Sequence, residues 1–352
     1  MSPPTASFDP KKILIVLHGS IGDVTRALPL AKLLRRGFPR ASLAWSVEPA
    51  AYPLLEGHPA IDEIILFNRG GGWKSFASFL AQVRARRFDL VLDLQRHLKS
   101  GFISWASGAP RRLGFHPADA KEGNGFFNNL HIERCGESIA KLDHYLKFAD
   151  FLGIPRTPLE WDFSLTAAEW QTVESHSARV ANSYAVLFVG TRWPSKQWFP
   201  QQMAECARML QADYDLDVIL LGGKDNRELA RQASAVDRVL DLVGKTTLRE
   251  AVGIIQRAKL AVGPDTGLTH IAAAVGTPVI SLWGATDPQR TGPVGFADLV
   301  IRGQAPCAPC KRRRCAIGRI CMQSITTSMI AAKAAAALKD GAGMRASHGS
   351  AV

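Results

Sequence analysis

Two short segments combine small and chemically active residues at points where an apolar run gives way to a helical pattern. The first is His18-Gly19-Ser20-Ile21-Gly22-Asp23, which follows the apolar run 13–17. Glycines allow a backbone to approach a ligand closely, and a helix N-terminus offers free N–H groups with partial positive charge. Asp23 has two interpretations: an N-cap, which its position alone favours, or a general base at the mouth of a cleft.

The second segment is Gly263-Pro264-Asp265-Thr266-Gly267-Leu268-Thr269-His270, and it also follows an apolar run. The backbone N–H groups of Thr266, Gly267 and Leu268 are predicted to cradle a diphosphate. His270 lies four residues after Thr266 and shares its helix face. A capped helix with a hydrogen-bonded histidine is the alternative, but the convergence of Asp, Thr, Gly and His favours a binding site.

Two basic residues, Arg192 and Lys196, lie in the loop 190–200, after the first apolar run of the second half of the chain. Lys196 supplies a mobile point charge for a diphosphate, and Arg192 a guanidinium fork. A solvated basic loop is an equal interpretation. In the loop 222–228, Glu228 either accepts hydrogen bonds from ribose hydroxyls or is a first-turn acid of the next helix.

The elements that carry these loops alternate between strand and helix. The sequence predicts strands at residues 11–17, 42–47, 61–67, 88–94, 184–189, 217–221, 259–262 and 279–283, with helices between them. Continuous apolar strands of this kind indicate parallel sheets covered on both faces. Gly and Pro at 153–158 predict a linker between two similar α/β halves. Ligands bind at the carboxyl ends of such strands, so two facing sheets would hold a ligand in a central cleft.

Composition limits the class of protein. The 352 residues are 47% hydrophobic and 21% charged, which is typical of a globular protein and not of a disordered one. No apolar run reaches the ~18 residues of a membrane-spanning helix, and the first residues lack the apolar core of a signal peptide, so a cytoplasmic protein is expected. The net charge of +12 indicates an anionic partner.

Half of the excess positive charge lies in one segment, 302–321, with six basic residues and no acidic one. A solvated loop and a contact with an anion or a membrane are both open interpretations. The same segment contains Cys307, Cys310, Cys315 and Cys321, whose spacing is compatible with structural zinc. Free thiols in a basic loop are the favoured alternative.

Five segments occur in the order that is found in glycosyltransferase family 9, the group that includes the ADP-heptose:lipopolysaccharide heptosyltransferases, and the chain resembles that family over most of residues 11–325. They are ILIVLHGSIGDV (13–24), DLQRHLKS (93–100), TRWPSKQWFP (191–200), LLGGKDNRELA (220–230) and VGPDTGLTHIAAAVGTPVISLWGATDPQRTGP (262–293). The last segment is the most specific.

The resemblance implies a GT-B architecture with two Rossmann-like, doubly wound domains. We expect an acceptor domain at 1–155, a nucleotide-sugar donor domain at 156–325, and a helix within 326–352 that packs back on the first domain, followed by a tail. The implied enzyme is inverting and independent of metals and cofactors. It transfers heptose from ADP-heptose to the inner core of lipopolysaccharide, peripheral to the cytoplasmic face of the inner membrane.

Roles carried over from the family fall on particular residues. Asp23 matches the catalytic base, and Arg96 and Lys99 of DLQRHLKS fall where acceptor contacts are expected. Donor contacts are expected from the two glycine-containing loops and the basic loop: Thr191, Arg192, Lys196, Glu228, Asp265, Thr266, Gly267 and His270.

Three other functions compete with this prediction. One is a GT-B transferase that uses another nucleotide-sugar or acceptor. Another is a sugar-nucleotide epimerase, which would need a second acid/base group and no lipid acceptor. The third is a basic module that binds anions or nucleic acid. Nucleic acid is not expected as a partner, because no stacking aromatic pattern accompanies the basic segment.

Overall fold

The computed structural model describes residues 9–136 and 139–344. Two compact units divide the chain, Met1–Ser164 and Leu165–Val352. The division falls after Ser164, beyond the boundary at 155 that the sequence predicts. The sequence pattern predicts a helix over about 137–152, and its first two residues lie outside the described residues. So does 345–352, the end of the segment 326–352 in which a tail is expected.

The first unit is a parallel six-stranded sheet with helices. In chain order the elements are β1 (Lys12–Val16), α1 (Ile21–Gly37), β2 (Ser42–Val47), β3 (Glu63–Leu66), α2 (Gly72–Ala85), β4 (Leu90–Asp93), α3 (Leu98–Ala106), β5 (Arg111–Gly114), β6 (Leu130–His131) and α4 (Lys141–Phe151). The strands lie in the sheet in the order β3-β2-β1-β4-β5-β6.

Apolar residues explain why the central strands form. β1 pairs with β2 in the register Ile15↔Trp45 and with β4 in the register Ile15↔Leu92, and all three side chains are fully buried. Phe79 and Val83 of α2 pack with the strand residues in the core cluster on one side of the sheet. Burial of each such side chain contributes about 1.5–3 kcal/mol.

The second unit repeats this plan. Its elements are α5 (Ala167–Ser177), β7 (Tyr184–Phe188), α6 (Pro200–Tyr214), β8 (Asp217–Leu221), α7 (Arg227–Ala233), β9 (Val239–Asp241), α8 (Leu248–Arg257), β10 (Leu260–Pro264), α9 (Gly267–Ala274), β11 (Val279–Trp283), α10 (Pro288–Thr291), β12 (Val300–Arg302), α11 (Ile320–Gln323) and α12 (Thr327–Met344). The sheet order β12-β11-β10-β7-β8-β9, read from β9, matches the order of the first sheet.

In both sheets the order of successive strands therefore reverses at a defined place, between β1 and β4 in one unit and between β7 and β10 in the other. In a parallel sheet such a switch point opens a crevice at the carboxyl ends of the strands, where ligands bind. All eight predicted strands are present, which confirms the predicted α/β class. The four strands that the sequence missed, β5, β6, β9 and β12, have two to four residues each, too few for a periodic signal.

The last helix packs within its own unit. α12 contacts α6, β10 and β11, and Ile330 and Ala334 on its inner face are fully buried. Its alanine-rich sequence lets the helix lie close to the sheet of the second unit. Packing of this helix on the first domain stays a prediction.

Candidate functional site

Asp23 is the third residue of α1, and Ser20 is the N-cap. The interpretation of Asp23 as the N-cap is therefore wrong, because the helix begins at Ile21 and Ser20 is its cap. Ser20 and Asp23 form a capping box: the backbone N–H and hydroxyl of Ser20 donate to Asp23 Oδ2 at 3.0 and 2.9 Å. A Cβ at Gly19 would lie 2.6 Å from Asp23 Cβ, so this turn requires glycine.

The other oxygen of Asp23 is held by two cations. Arg26 Nη2 donates to Oδ1 at 2.9 Å, and Lys141 Nζ donates to the same oxygen. Burial disfavours the charge of Asp23, but Lys141, Arg26 and the bonds from Ser20 more than offset it, so the pKa of Asp23 lies well below its usual range. Asp23 is thus an ionised carboxylate, and only 17% of its side chain is exposed.

His18, the first residue of the same segment, is buried and neutral. Its Nε2 lies 2.7 Å from Ser46 Oγ, and its ring stacks on Phe67 with centroids 4.2 Å apart. Burial, together with the positive charges of Arg69 and Lys99, lowers the pKa of His18 to about 3. An imidazole in this state supports the loop by packing and does not carry protons near neutral pH.

The two predicted acceptor residues follow β4, on the other side of the switch point. Lys99 is exposed, and its Nζ lies 5.6 Å from the centroid of the Phe67 ring. The guanidinium of Arg96 lies 5.3 Å from the Phe115 ring, and the backbone of Arg96 has a φ of 68°. The left-handed backbone turns the chain sharply between β4 and α3. Both cations thus lie beside the carboxyl edge that also carries Asp23.

In the second unit, Lys196 and Asp265 form a buried ion pair across the switch point between β7 and β10. Lys196 Nζ lies 2.6 Å from Asp265 Oδ2, and the side chains are 15% and 10% exposed. Thr286 donates to the same oxygen at 2.7 Å, while His270 Nε2 lies 3.6 Å from Oδ1. Burial opposes the charge of Asp265, but His270 and Lys196 outweigh it and hold the pKa of Asp265 well below normal.

The N-terminus of α9 opens directly beside this pair. Thr266 is the N-cap with an extended backbone and, in the described part of the chain, its side chain makes no capping hydrogen bond. Thr269 donates to Pro264 O at 2.6 Å, which fixes the first turn to the end of β10. Free N–H groups and the helix dipole at this end favour an anion next to Lys196. The predicted cluster of Lys196, Asp265, Thr266 and His270 is therefore brought together.

The loop after β7 packs its backbone at Gly190 against a side chain of the loop after β8. Gly190 has a φ of 84°, and a Cβ there would lie 2.0 Å from Cγ of Asn226. Thr191 donates its hydroxyl to Trp193 O at 2.6 Å, which closes the turn that leads to Lys196. Trp193 lies against Lys196, with Nζ 4.6 Å from the ring centroid.

Two predicted donor residues are not drawn into this cluster. Glu228, in the first turn of α7, accepts hydrogen bonds from Arg231 at 2.7 and 3.0 Å and from Gln232 at 2.9 Å. The bonds from Arg231 lower the pKa of Glu228 to about 2, and 65% of its side chain is exposed. Arg192 is exposed as well. Arg192 lies on the loop after β7, and Glu228 lies in the helix that follows the neighbouring strand β8.

The basic, cysteine-containing segment 302–321 supports the loop 190–200 that carries Lys196. Ser195 is buried and donates its hydroxyl to Arg312 O at 2.6 Å and its N–H to Arg313 O at 3.2 Å. Arg319 donates to Gln197 O at 2.8 Å. The main-chain path of this segment therefore fixes the residues on both sides of Lys196.

The four cysteines of this segment are free thiols that range from exposed Cys307 to buried Cys321. Burial, and the proximity of the other three thiols, raise the pKa of Cys321. Within residues 9–136 and 139–344, no three His, Cys, Asp or Glu side chains are arranged to hold a metal ion. The zinc that the spacing allows is thus not matched by a preformed site, and structural zinc stays a prediction.

Sequence reasoning missed two residues that hold the acidic groups. Lys141 is the first residue of α4, where the helix dipole disfavours a cation. A lysine at the start of a helix is therefore a signal for an acidic partner, but the predicted helix begins four residues before Lys141, at 137. Thr286 follows β11, the neighbour of β10, so the rule that ligand contacts gather at the carboxyl ends of adjacent strands would have found it.

Comparison with known proteins finds relatives in one enzyme family. The family model described as glycosyltransferase family 9 (heptosyltransferase) matches residues 76–321. The lipopolysaccharide core heptosyltransferase OpsX of Haemophilus influenzae is 26% identical over 296 residues, which cover 83% of this chain and 84% of the relative.

Solved structures of heptosyltransferases share the fold. ADP-heptose lps heptosyltransferase II of Escherichia coli superimposes with a TM-score of 0.74 at 23% identity, covering 94% of this chain and 99% of that chain. E. coli heptosyltransferase WaaC, solved with ADP-2-deoxy-2-fluoro heptose, gives 0.71 at 22% identity, with 91% and 98% covered. The predicted GT-B architecture is thereby confirmed. Among the described helices, none is both long and apolar enough to cross a bilayer.

Proposed function

Since the chain belongs to glycosyltransferase family 9, we propose that it is an inverting, metal-independent heptosyltransferase that uses ADP-heptose as donor and the inner core of lipopolysaccharide as acceptor. The observation that carries the donor half of this proposal is the buried Lys196–Asp265 pair at the N-terminus of α9. A crystallised relative of the same fold was solved with an ADP-heptose analogue, which supports this choice of donor.

The diphosphate of the donor lies, in this proposal, against Lys196 and the first N–H groups of α9. Asp265 holds the ammonium of Lys196 and the ring of His270 in place through its two oxygens. When the bond from the anomeric carbon to the diphosphate breaks, negative charge grows on the leaving oxygen. A fixed ammonium and a helix N-terminus stabilise that charge without a divalent ion.

Asp23 is the proposed base for the acceptor. The acceptor hydroxyl oxygen attacks the anomeric carbon from the face opposite the diphosphate, and its proton passes to the Asp23 carboxylate, so the configuration inverts. Lys141 and Arg26 make Asp23 a weak base. A weak base takes the proton late, after the bond to the leaving diphosphate has largely broken.

Lipid A–core oligosaccharide is the proposed acceptor partner, with Arg96 and Lys99 as contacts for its anionic groups. The enzyme then works at the cytoplasmic face of the inner membrane, where the lipid part of such an acceptor is embedded. The positive charge of the chain, +12, fits both an anionic donor and an anionic acceptor surface.

The test is to incubate the purified chain with a panel of nucleotide-sugars and truncated lipid A–core acceptors, and to analyse products by mass and anomeric configuration. We expect a new glycosidic bond of inverted configuration from ADP-heptose. An altered free sugar without a new bond would indicate an epimerase and overturn the proposal. Transfer from another nucleotide-sugar in preference to ADP-heptose would overturn the donor assignment.

A further inference from the structure

The first unit carries an exposed aromatic surface that its fold does not need. In the described part of the chain seven large apolar side chains are exposed, and five of them belong to this unit: Leu66, Trp73, Leu98, Trp105 and Phe126. Trp73 is 74% exposed and Phe126 is 94% exposed. A contiguous exposed apolar patch on an otherwise ordinary surface is typical of an interaction site.

The rings of this surface contact one another in a continuous row. The distances between ring centroids are 5.9 Å from Trp73 to Phe76, 6.3 Å from Phe76 to Phe102, and 5.6 Å from Phe102 to Trp105. Phe127, next to the exposed Phe126, joins the row at 6.1 Å from Phe102. The row links α2, α3 and the end of the short helix at Asn124–Phe126. We call these rings, together with the exposed Phe126, the aromatic surface: Trp73, Phe76, Phe102, Trp105, Phe126 and Phe127.

Positive charges predominate on the helices of the aromatic surface. The helices α2 and α3 contain Lys74, Arg84 and Lys99 and no acidic residue. Arg69, just before α2, is 58% exposed and pairs with Glu48, and Glu122 lies beside the start of α3. Tryptophan and phenylalanine flanked by lysine and arginine are the residues that lie in the headgroup region of an anionic bilayer. Charge complementarity thus favours an anionic lipid surface as the occupant.

The aromatic surface also adjoins the proposed acceptor site. Lys99 is in the first turn of α3, and its ammonium lies over Phe67 at the end of β3, next to the buried His18. Trp73 is in the first turn of α2, which follows the same strand. Both helices therefore begin at the carboxyl edge of the sheet that carries Asp23.

We infer that the aromatic surface docks the protein on an anionic membrane by placing Trp73, Trp105 and Phe126 among the lipid headgroups. The choice of a lipid surface rests on the proposed function, since an acceptor anchored by lipid A is presented at a bilayer. The surface would bring the acceptor edge of the first unit to the plane in which the core sugars of that acceptor begin.

Vesicle flotation tests this inference. The full chain is mixed with vesicles of phosphatidylcholine containing about one quarter phosphatidylglycerol, and with vesicles of phosphatidylcholine alone. We expect binding to the anionic vesicles that weakens as salt is raised. The variant Trp73→Ala/Phe126→Ala should lower the partition coefficient at least about tenfold, because it removes the most exposed rings. Lys74→Glu should weaken binding to the anionic vesicles alone.

The matched control is Ile317→Ala/Ile320→Ala, which removes two exposed apolar residues from the basic segment of the second unit. This control should bind vesicles like the wild type. Equal loss in both double variants, or undiminished binding of Trp73→Ala/Phe126→Ala, would overturn the inference. So would a wild type that does not float. A wild-type dimer in sedimentation that Trp73→Ala/Phe126→Ala dissociates, with flotation unchanged, would assign the surface to a second copy of the chain.

Activity separates failure of this inference from failure of the proposed function. Transfer to a delipidated core oligosaccharide should be the same in the wild type and in Trp73→Ala/Phe126→Ala, while transfer to full lipid A–core in vesicles should fall in the variant. If the wild type transfers to neither acceptor, the proposed function fails, and the flotation result still decides whether the surface binds membrane. Unchanged melting temperatures would show that the substitutions leave the fold intact.

Discussion

Lys196 and Asp265 join the loop after β7 to the start of α9 through one ion pair of 2.6 Å. Under the proposed mechanism the lysine also serves the donor diphosphate. Lys196→Ala should therefore weaken ADP-heptose binding by about 1.5–3 kcal/mol, the range for a hydrogen bond to a charged group. Titration calorimetry with ADP measures the loss.

The control for this experiment is Lys245→Ala, which removes a lysine of the same unit from a more exposed pair with Asp241, at 3.3 Å. Exposed pairs of this kind contribute little to stability. ADP affinity should not change in the control. Equal affinity of Lys196→Ala and wild type for ADP would show that Lys196 serves only the fold.

Asp23→Asn removes the proposed base and retains the size of the side chain. The amide can still accept the hydrogen bond from the Ser20 backbone, but it no longer pairs with Arg26 and Lys141, so the melting temperature should fall. We expect kcat to fall by roughly 10²–10⁴, the usual contribution of a general base, with donor affinity unchanged. Steady-state kinetics with core acceptor and ADP titration measure the two effects.

Glu250 provides a matched control for Asp23, because it occupies the same third helical position in the capping box that Thr247 forms at α8. Glu250→Gln should change stability less than Asp23→Asn, which also loses two ion pairs, and should leave kcat at the wild-type value. If Asp23→Asn retains full activity, the residue is a helix-capping group and not the base.

Lys141 controls the pKa of Asp23. Its removal in Lys141→Gln takes away a cation that lowers this pKa, so the pKa of Asp23 should rise. A carboxyl with a depressed native pKa stabilises the fold above its unfolded pKa of about 3.9, and this contribution is lost as pH falls through the native pKa. The variant should therefore lose stability at higher pH than the wild type when titrated with acid.

The acid limb of the kcat/KM profile should move to higher pH in the same variant, because Asp23 must be ionised to accept a proton. Lys141→Arg, which retains the charge, should restore the wild-type profile. An unchanged acid limb in Lys141→Gln would mean that Asp23 does not limit activity at low pH. The pH profiles of kcat/KM for the three proteins decide this.

Chelation tests metal independence. The proposed donor site relies on Lys196 and the α9 terminus, so transfer should survive EDTA at full rate. Loss of activity that magnesium or manganese restores would overturn the mechanism. Elemental analysis of the purified chain, before and after EDTA, tests separately whether the four cysteines at 307–321 bind zinc.

Sequence alone predicted the parts of the molecule that repeat a strong local signal. The apolar strands β1, β2, β4, β7, β8, β10 and β11 and the loops at their carboxyl ends are examples, because burial on both faces leaves a continuous apolar run. Lys196 and Asp265 are in such loops. Their contact depends on the order of β7 and β10 in the sheet, which no local pattern encodes.

The residues that escaped prediction act over long distances along the chain. Lys141 reaches Asp23 from a helix more than a hundred residues away in sequence. The aromatic surface combines residues of α2, α3 and the short helix at Asn124–Phe126, and each ring alone resembles an ordinary core residue. Tertiary packing decides which of them stay exposed.

The contact between Gly190 and Asn226 has a consequence for how this protein can vary. A side chain at 190 would overlap the Asn226 amide at 2.0 Å and would also face an unfavourable φ of 84°. Replacement of Asn226 by a smaller residue removes the first obstacle but not the second. The two positions should therefore change in a fixed order during evolution. A smaller residue can replace Asn226 while residue 190 stays glycine. A larger residue at 190 can appear only after residue 226 has become smaller and the turn has changed its backbone conformation.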